Sequence, residues 1–311
     1  MTSGIIDIAS VIPTSGVNNY EQANRFGKDI QFLEHRIGAS FLPRMAPGSD
    51  TSDLVVNAVQ RLIEKSPGLE APMIDVLVVV TQNPDGSGLP HCSAIAQEKL
   101  DLSRKTAAFD ISLGCSGYVY GLYAISGFMK QTGLTNGVLV TADPYSKIVD
   151  PEDANTALLF GDAATATWVG QDGIWNLGPS KFLTDGSGAD YLKNNSGSLF
   201  MDGRRVMSFA KNSVCTQIKE LLEGQGITEN DVDLFLVHQG SRAVVEIIAA
   251  QFQVDPAKFP IELQLTGNTI SSSIPLLLEP RLRDTSLQKI VISGFGVGLS
   301  AGSAILYHNE R

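Results

Sequence analysis

The chain has 311 residues, enough for one large domain or for two of about 150. Hydrophobic residues make up 43% and charged residues 18%, which excludes an intrinsically disordered chain. Lys+Arg 23 against Asp+Glu 33 gives a formal net charge of −10, which excludes a general polyanion binder, so no nucleic-acid partner is expected.

In chain order, the start Met1-Thr2-Ser3-Gly4-Ile5 lacks the basic and long apolar regions of a signal peptide. No later run approaches the ~18 apolar residues of a membrane span, so no membrane partner is expected. Residues 53–65 place Leu54, Val55, Ala58, Val59, Leu62 and Ile63 on one stripe, which predicts a helix. Residues 74–80 (IDVLVVV) predict a buried strand, and Ala107–Ile111 and 137–141 read likewise. Residues 163–169 (AATATWV) close this first series. The turn-rich stretch 170–205 reads as a connecting excursion.

The order then repeats. A helical stripe at 214–222 leads to the strand Leu234–Val237, which follows Asp231-Val232-Asp233 much as VLVVV follows Ile74-Asp75. Residues 260–265 lead into a Gly-Asn turn and a Ser-rich segment. Strands at 289–293 and 301–307 end the chain. Alternating strands and helices imply α/β layers, here as a duplicated unit with halves 1–170 and 171–311 and a junction near Gly170–Gly173.

Three cysteines, Cys92, Cys115 and Cys215, cannot build a disulfide framework, so a reduced, cytoplasmic location is expected. Cys115 stands between a strand, a bend at Gly114 and an apolar helical stretch. A thiol at a helix N-terminus feels the positive end of the helix dipole, which lowers its pKa and favours thiolate. The plainer reading is a core residue, since free cysteine is among the most buried types. Cys215 lies in an amphipathic helix and reads as core. His91-Cys92 has no second ligand pair, so no metal is expected.

His238 ends a buried strand, where α/β folds place functional groups. Asn268 follows Gly267, and by itself reads as turn chemistry. Gly296-Val297-Gly298-Leu299-Ser300-Ala301 matches the dinucleotide fingerprint literally. It comes too late in the chain for a βαβ unit, and no acidic partner follows it, so no dinucleotide cofactor is expected.

Five blocks in order carry a family resemblance: DISLGCSGYVYGL (110–122), DPEDANTALLFGDAA (150–164), FLVHQGSR (235–242), TGNTISSSIP (266–275) and GFGVGLSAGSA (294–304). Along nearly its whole length the sequence resembles a β-ketoacyl-acyl carrier protein synthase III, of the thiolase superfamily. The resemblance implies a five-layer αβαβα fold, a homodimer, no cofactor, and acyl carrier protein with acyl and malonyl thioesters as partners. It implies that Cys115 takes an acyl group and that a malonyl thioester then decarboxylates and attacks it. His238 and Asn268 would stabilise the enolate, and the backbone N–H groups of Cys115 and Val297 the acyl-transfer oxyanion.

The resemblance also assigns substrate contacts, with departures. Phe32 stands where the family has a Trp that stacks on coenzyme A adenine, and Ala154 where it has the Arg of the other face. Losing both implies weak coenzyme A binding and a carrier-bound acyl donor. Arg36 matches a basic residue at the tunnel mouth, and Leu89 a residue that gates the acyl pocket from the opposing subunit. Gly203, Arg204 and Met207 fall along the pantetheine channel, with Arg205 beside them; the plainer reading of the two arginines is a solvated turn. Gly240-Ser241 replaces the family's Ala-Asn after the histidine, and Ala243 replaces a carrier-docking Arg. The rival readings are a thiolase-fold acyltransferase without decarboxylation, a silent carrier-binding subunit, and a papain-type protease. The intact Asn268 disfavours the first, the complete triad the second, and the missing papain cysteine signature the third.

Overall fold

Residues Val76–Val80 (β2) are apolar at every position because both faces of the strand are covered. Val76, Val78 and Val80 join one core, while Leu77 and Val79 join another. A strand buried on both sides reads as a continuous apolar run. The structure is a computed structural model and describes residues 3–309. Met1, Thr2, Glu310 and Arg311, the outermost residues of the two expected halves and part of the start read for a signal, lie outside the described residues.

Among the described residues, nine strands form one hydrogen-bonded sheet. With β2 they are β1 (Gly4–Val11), β3 (Ala107–Ile111), β4 (Gly137–Ala142), β5 (Ala164–Gly170), β6 (Trp175–Thr184), β7 (Leu234–Val237), β8 (Lys289–Gly296) and β9 (Ser300–His308). Their spatial order is β7-β8-β9-β6-β1-β5-β4-β2-β3. β2 runs parallel to β3 and β4, and β4 antiparallel to β5. β7 runs parallel to β8, and β8 antiparallel to β9. The series β1-β5-β4-β2 is therefore repeated by β6-β9-β8-β7. The two series meet where Gly4 and Ile5 pair with Asn176 and Trp175.

Helices complete five layers. α1 (Thr51–Lys65) and α2 (Cys92–Lys99) cover the outer face of the first series. The side chains of Asp50 and Asp53 form a capping box that starts α1 at Thr51, two residues before the expected start at 53. α3 (Gly117–Thr132) touches β2, β4 and β5 on one side and β8 and β9 on the other. α7 (Ser273–Leu278) likewise touches strands of both series, so α3 and α7 form the middle layer. α4 (Gly203–Phe209) leads to α5 (Cys215–Glu223), which packs with α6 (Arg242–Ala249) on the outer face of the second series. The architecture is αβαβα. No helix among the described residues is long and apolar enough to cross a membrane.

One expectation is corrected. The stretch 170–205 is not only an excursion, because β6 lies inside it and pairs with both β1 and β9. Its sequence, WNLGPSKFLT, hides this: most positions are half-buried, so neither alternation nor a full apolar run appears. Residues 260–265, which lead into the Gly-Asn turn as read, form no strand, so the second series lacks a counterpart of β3.

Candidate active site

The turns that leave β3, β7 and β8 and the turn that enters α7 converge on one cavity. Cys115 lies in the turn between β3 and α3 and is 5% exposed. The backbone of β8 presses against it. A Cβ on Gly296 would stand 2.9 Å from its Sγ, and one on Gly294 would stand 2.4 Å from its carbonyl oxygen. Only glycine permits that approach. The backbone N–H groups of Cys115 and Val297 favour the charged form of the sulfur. Burial outweighs them and pushes the thiol pKa up, with the charge of Asp143 adding to the effect. The expected lowering is thus reversed in the buried site, because desolvation penalises thiolate more than two N–H groups help it.

His238 follows β7, and its N–H donates to the Ser293 carbonyl at 2.8 Å. Its Nδ1 shares a hydrogen bond of 2.8 Å with Ser273 Oγ at the start of α7. The ring meets Phe295 edge-on at 5.5 Å. Burial pushes its pKa down to about 3, so the imidazole is neutral at neutral pH. With Nδ1 engaged, Nε2 is the nitrogen left for a ligand.

Asn268 is clamped on three sides. Its N–H donates to the Leu159 carbonyl at 2.8 Å, and its carbonyl accepts from Gly161 N–H at 3.1 Å. Its Oδ1 accepts from Ile270 N–H at 2.9 Å. Ile270 adopts φ 55°, a left-handed conformation unfavourable for a β-branched residue. Backbone strain at Ile270 therefore accompanies an oriented amide whose Nδ2 donors remain free for a ligand.

Cys115, His238 and Asn268 line one cavity of about 180 Å³, with Leu159, Phe160, Leu192 and Ile270 as apolar walls. A thiol, a neutral imidazole and a primary amide in an apolar cavity suit covalent capture of a thioester and stabilisation of an enolate.

Residues 109–186 match the family described as 3-oxoacyl-[acyl-carrier-protein (ACP)] synthase III, and residues 222–308 match its C-terminal part. A β-ketoacyl-[acyl-carrier-protein] synthase III of Lactobacillus helveticus is 33% identical, with 97% of each chain covered. The chain belongs to the β-ketoacyl-[acyl-carrier-protein] synthase III family. A second such enzyme, from Oenococcus oeni, is 34% identical with 98% of each chain covered. A crystal structure of a 3-oxoacyl-(acyl-carrier-protein) synthase III superposes with a TM-score of 0.92 at 28% identity, over 99% of this chain and 100% of that one. The chain is accordingly a condensing enzyme of the acyltransferase type with the thiolase-like architecture.

The synthase III residues expected at the substrate fall into two groups. Gly203, Met207, Gly240 and Ser241 line the cavity. Ser241 Oγ also accepts from Val244 N–H at 3.3 Å, so its hydroxyl caps α6. Phe32, Arg36, Leu89 and Arg204 do not line it. Phe32 is half-buried beneath Lys28, with Nζ 5.2 Å from the ring centre. Arg36 and Arg204 are exposed, and Leu89 is 93% exposed on the loop before α2. Arg205 lies over the Tyr191 ring.

Sequence reading missed Ser273, Phe295, Tyr145 and Asp143. Ser273 stands one α-helical turn and a residue beyond Asn268, and Asp143 directly follows β4. Strand-end position was the signal for Asp143, as it was for His238.

Proposed function

We propose that this synthase III carries out a two-stage condensation with Cys115 as nucleophile. The convergence of Cys115, His238 and Asn268 on one apolar cavity carries the reading. In the first stage Sγ attacks an acyl thioester, the backbone N–H groups of Cys115 and Val297 hold the oxyanion, and the leaving thiol takes the proton. In the second stage a malonyl thioester loses CO₂. His238 Nε2–H, in the tautomer whose Nδ1 accepts from Ser273 O–H, and Asn268 Nδ2 donate to the enolate oxygen, and the enolate carbon attacks the acyl-Cys115 carbonyl. Product leaves as a β-ketoacyl thioester, and Cys115 thiolate regains a proton. The division of labour follows the two halves: residues 1–170 bring the nucleophile, and 171–311 bring the two donors.

Acyl carrier protein is the proposed partner for both thioesters. The mismatch at Phe32 and Ala154, neither of which offers a paired stack for adenine, supports a carrier-bound acyl donor. Arg36 and Arg204 are exposed for an acidic carrier or a pantetheine phosphate. Gly203 and Met207 border the channel, and the apolar walls favour an apolar acyl group. A homodimer is supported by β3, an open sheet edge with every residue half-exposed. Such an edge calls for a strand partner. Leu89, exposed on the loop before α2, would enter the partner's acyl pocket. The cytoplasm is the proposed location.

The test is intact-mass detection of acyl transfer from acyl-coenzyme A and acyl carrier protein donors of rising chain length. Malonyl carrier protein is then added to the loaded protein. A donor-specific adduct that malonyl carrier discharges as β-ketoacyl product supports the reading. Absence of any adduct overturns it.

A further inference from the structure

Near Cys115 lies a buried carboxylate that neither stage of the condensation uses. Asp143 follows β4 and is 1% exposed. Its Oδ1 accepts from Gln82 N–H at 3.1 Å and from Asn83 Nδ2 at 2.8 Å. Its Oδ2 is buried and takes no hydrogen bond among the described residues. Gln82 ties this carboxylate to the nucleophile. Its Oε1 accepts from Tyr145 O–H at 3.3 Å, and would stand 2.7 Å from a Cβ on Gly114, the residue before Cys115. Tyr145 and Cys115 share one buried cluster.

The titratable groups that feel Asp143 are Cys115 and Tyr145, both of which it pushes up. Lys147, the nearby cation, is spent on Asp50 and on the Asn83 and Pro84 carbonyls. No cation pairs with Asp143 among the described residues.

We propose that Asp143 is a positioning residue that acts through Cys115: while it is charged it adds to burial in holding the thiol protonated, and when it takes a proton the thiolate forms more readily. Burial pushes the Asp143 pKa up to about 7, against the hydrogen bonds from Asn83 and Gln82, so the carboxylate changes charge in the working range. The coupling is mutual. A thiolate at Cys115 raises the proton affinity of Asp143, and the pair then holds one negative charge instead of two. The proposal rests on Cys115 being the nucleophile.

The experiment is the pH dependence of Cys115 alkylation by iodoacetamide in the full chain, read by peptide mass, for wild type, Asp143→Asn and Asn83→Ala. Asp143→Asn is expected to alkylate about tenfold faster than wild type at pH 8, equivalent to one pKa unit, and to match it near pH 5 where Asp143 is protonated in wild type. Asn83→Ala removes a hydrogen bond to the charged carboxylate, so its curve is expected between the other two. It also keeps the test open if Asp143→Asn does not fold. A structural role would change rates equally at all pH values. Superimposable curves, or a uniform offset, overturn the proposal. Alkylation does not depend on acyl chemistry, so the shift can appear even where acyl loading fails, which separates this proposal from the condensation reading.

Discussion

Two cysteines stand at helix starts in this molecule, and they meet opposite surroundings. Cys92 opens α2, and Asp110 takes the helix-end amides: its carboxylate accepts from Cys92 N–H at 2.7 Å and Ser93 N–H at 2.9 Å. The Cys92 thiol points at Asp85, 3.7 Å away. Burial pushes its pKa up, and Asp85 and Asp110 push it further. Cys115 precedes α3, whose N-cap Ser116 makes no side-chain capping bond. Its amide and that of Val297 turn to the sulfur. Both thiols are buried and both are raised. The difference is what the free N–H groups serve, a capping carboxylate in one case and the sulfur in the other. A helix N-terminus activates a cysteine only when its donors are left for the thiol and for the oxygen of an incoming group.

That contrast can be broken most sharply by removing the sulfurs. Cys115→Ala is expected to abolish the acyl adduct, while Cys92→Ala retains it; intact mass after incubation with acyl donors decides. Next in size, Asn268→Ala is expected to slow malonyl decarboxylation by about 10²–10³, typical for one oxyanion donor, while acyl loading of Cys115 stays within severalfold. Equal losses in both stages would assign Asn268 to the loading step instead.

The histidine opposite Cys115 sharpens the contrast through pH. A His238 pKa near 3 lies below the ordinary value of 6.5, so between these values the unfolded chain binds a proton that the folded chain does not. Its contribution to stability is full above pH 6.5 and is lost as pH falls toward 3. Thermal unfolding of His238→Gln is expected to depend less on pH in that window. The smallest change concerns the capped cysteine. Asp110→Asn removes the charged cap of α2 at a cost of about 1 kcal/mol, read as a melting temperature lower by a few degrees. It should also speed Cys92 alkylation. Unchanged Cys92 reactivity would mean that burial alone silences it.

Much of the scaffold was legible because burial leaves a local trace. β3 and β7 match their expected bounds, and β2 and α1 are displaced by two residues at the start. The extra residues of α1 belong to its capping box, and the missing ones of β2 carry no ladder pairing. β6 was not legible, because its half-buried faces mix Lys181 and Ser180 with Trp175 and Leu177. The site was legible only in part. Cys115, His238 and Asn268 sit at element ends that pattern reading can locate. Ser273, Phe295 and Asp143 reach the site through contacts between segments distant in sequence.

The sequence by itself determined the class of layers, the repeat of the two strand series and the family, since these follow from periodicity, burial and motifs in order. Tertiary structure alone decided the electrostatics. Glycine lets β8 close against Cys115, and the burial that results raises the thiol and keeps His238 neutral. It also decided which way the Asn268 amide faces, because Ile270 supplies the N–H that fixes it. Solvation and hydrogen-bond direction depend on everything packed around a group, and no local stretch of sequence contains that surrounding.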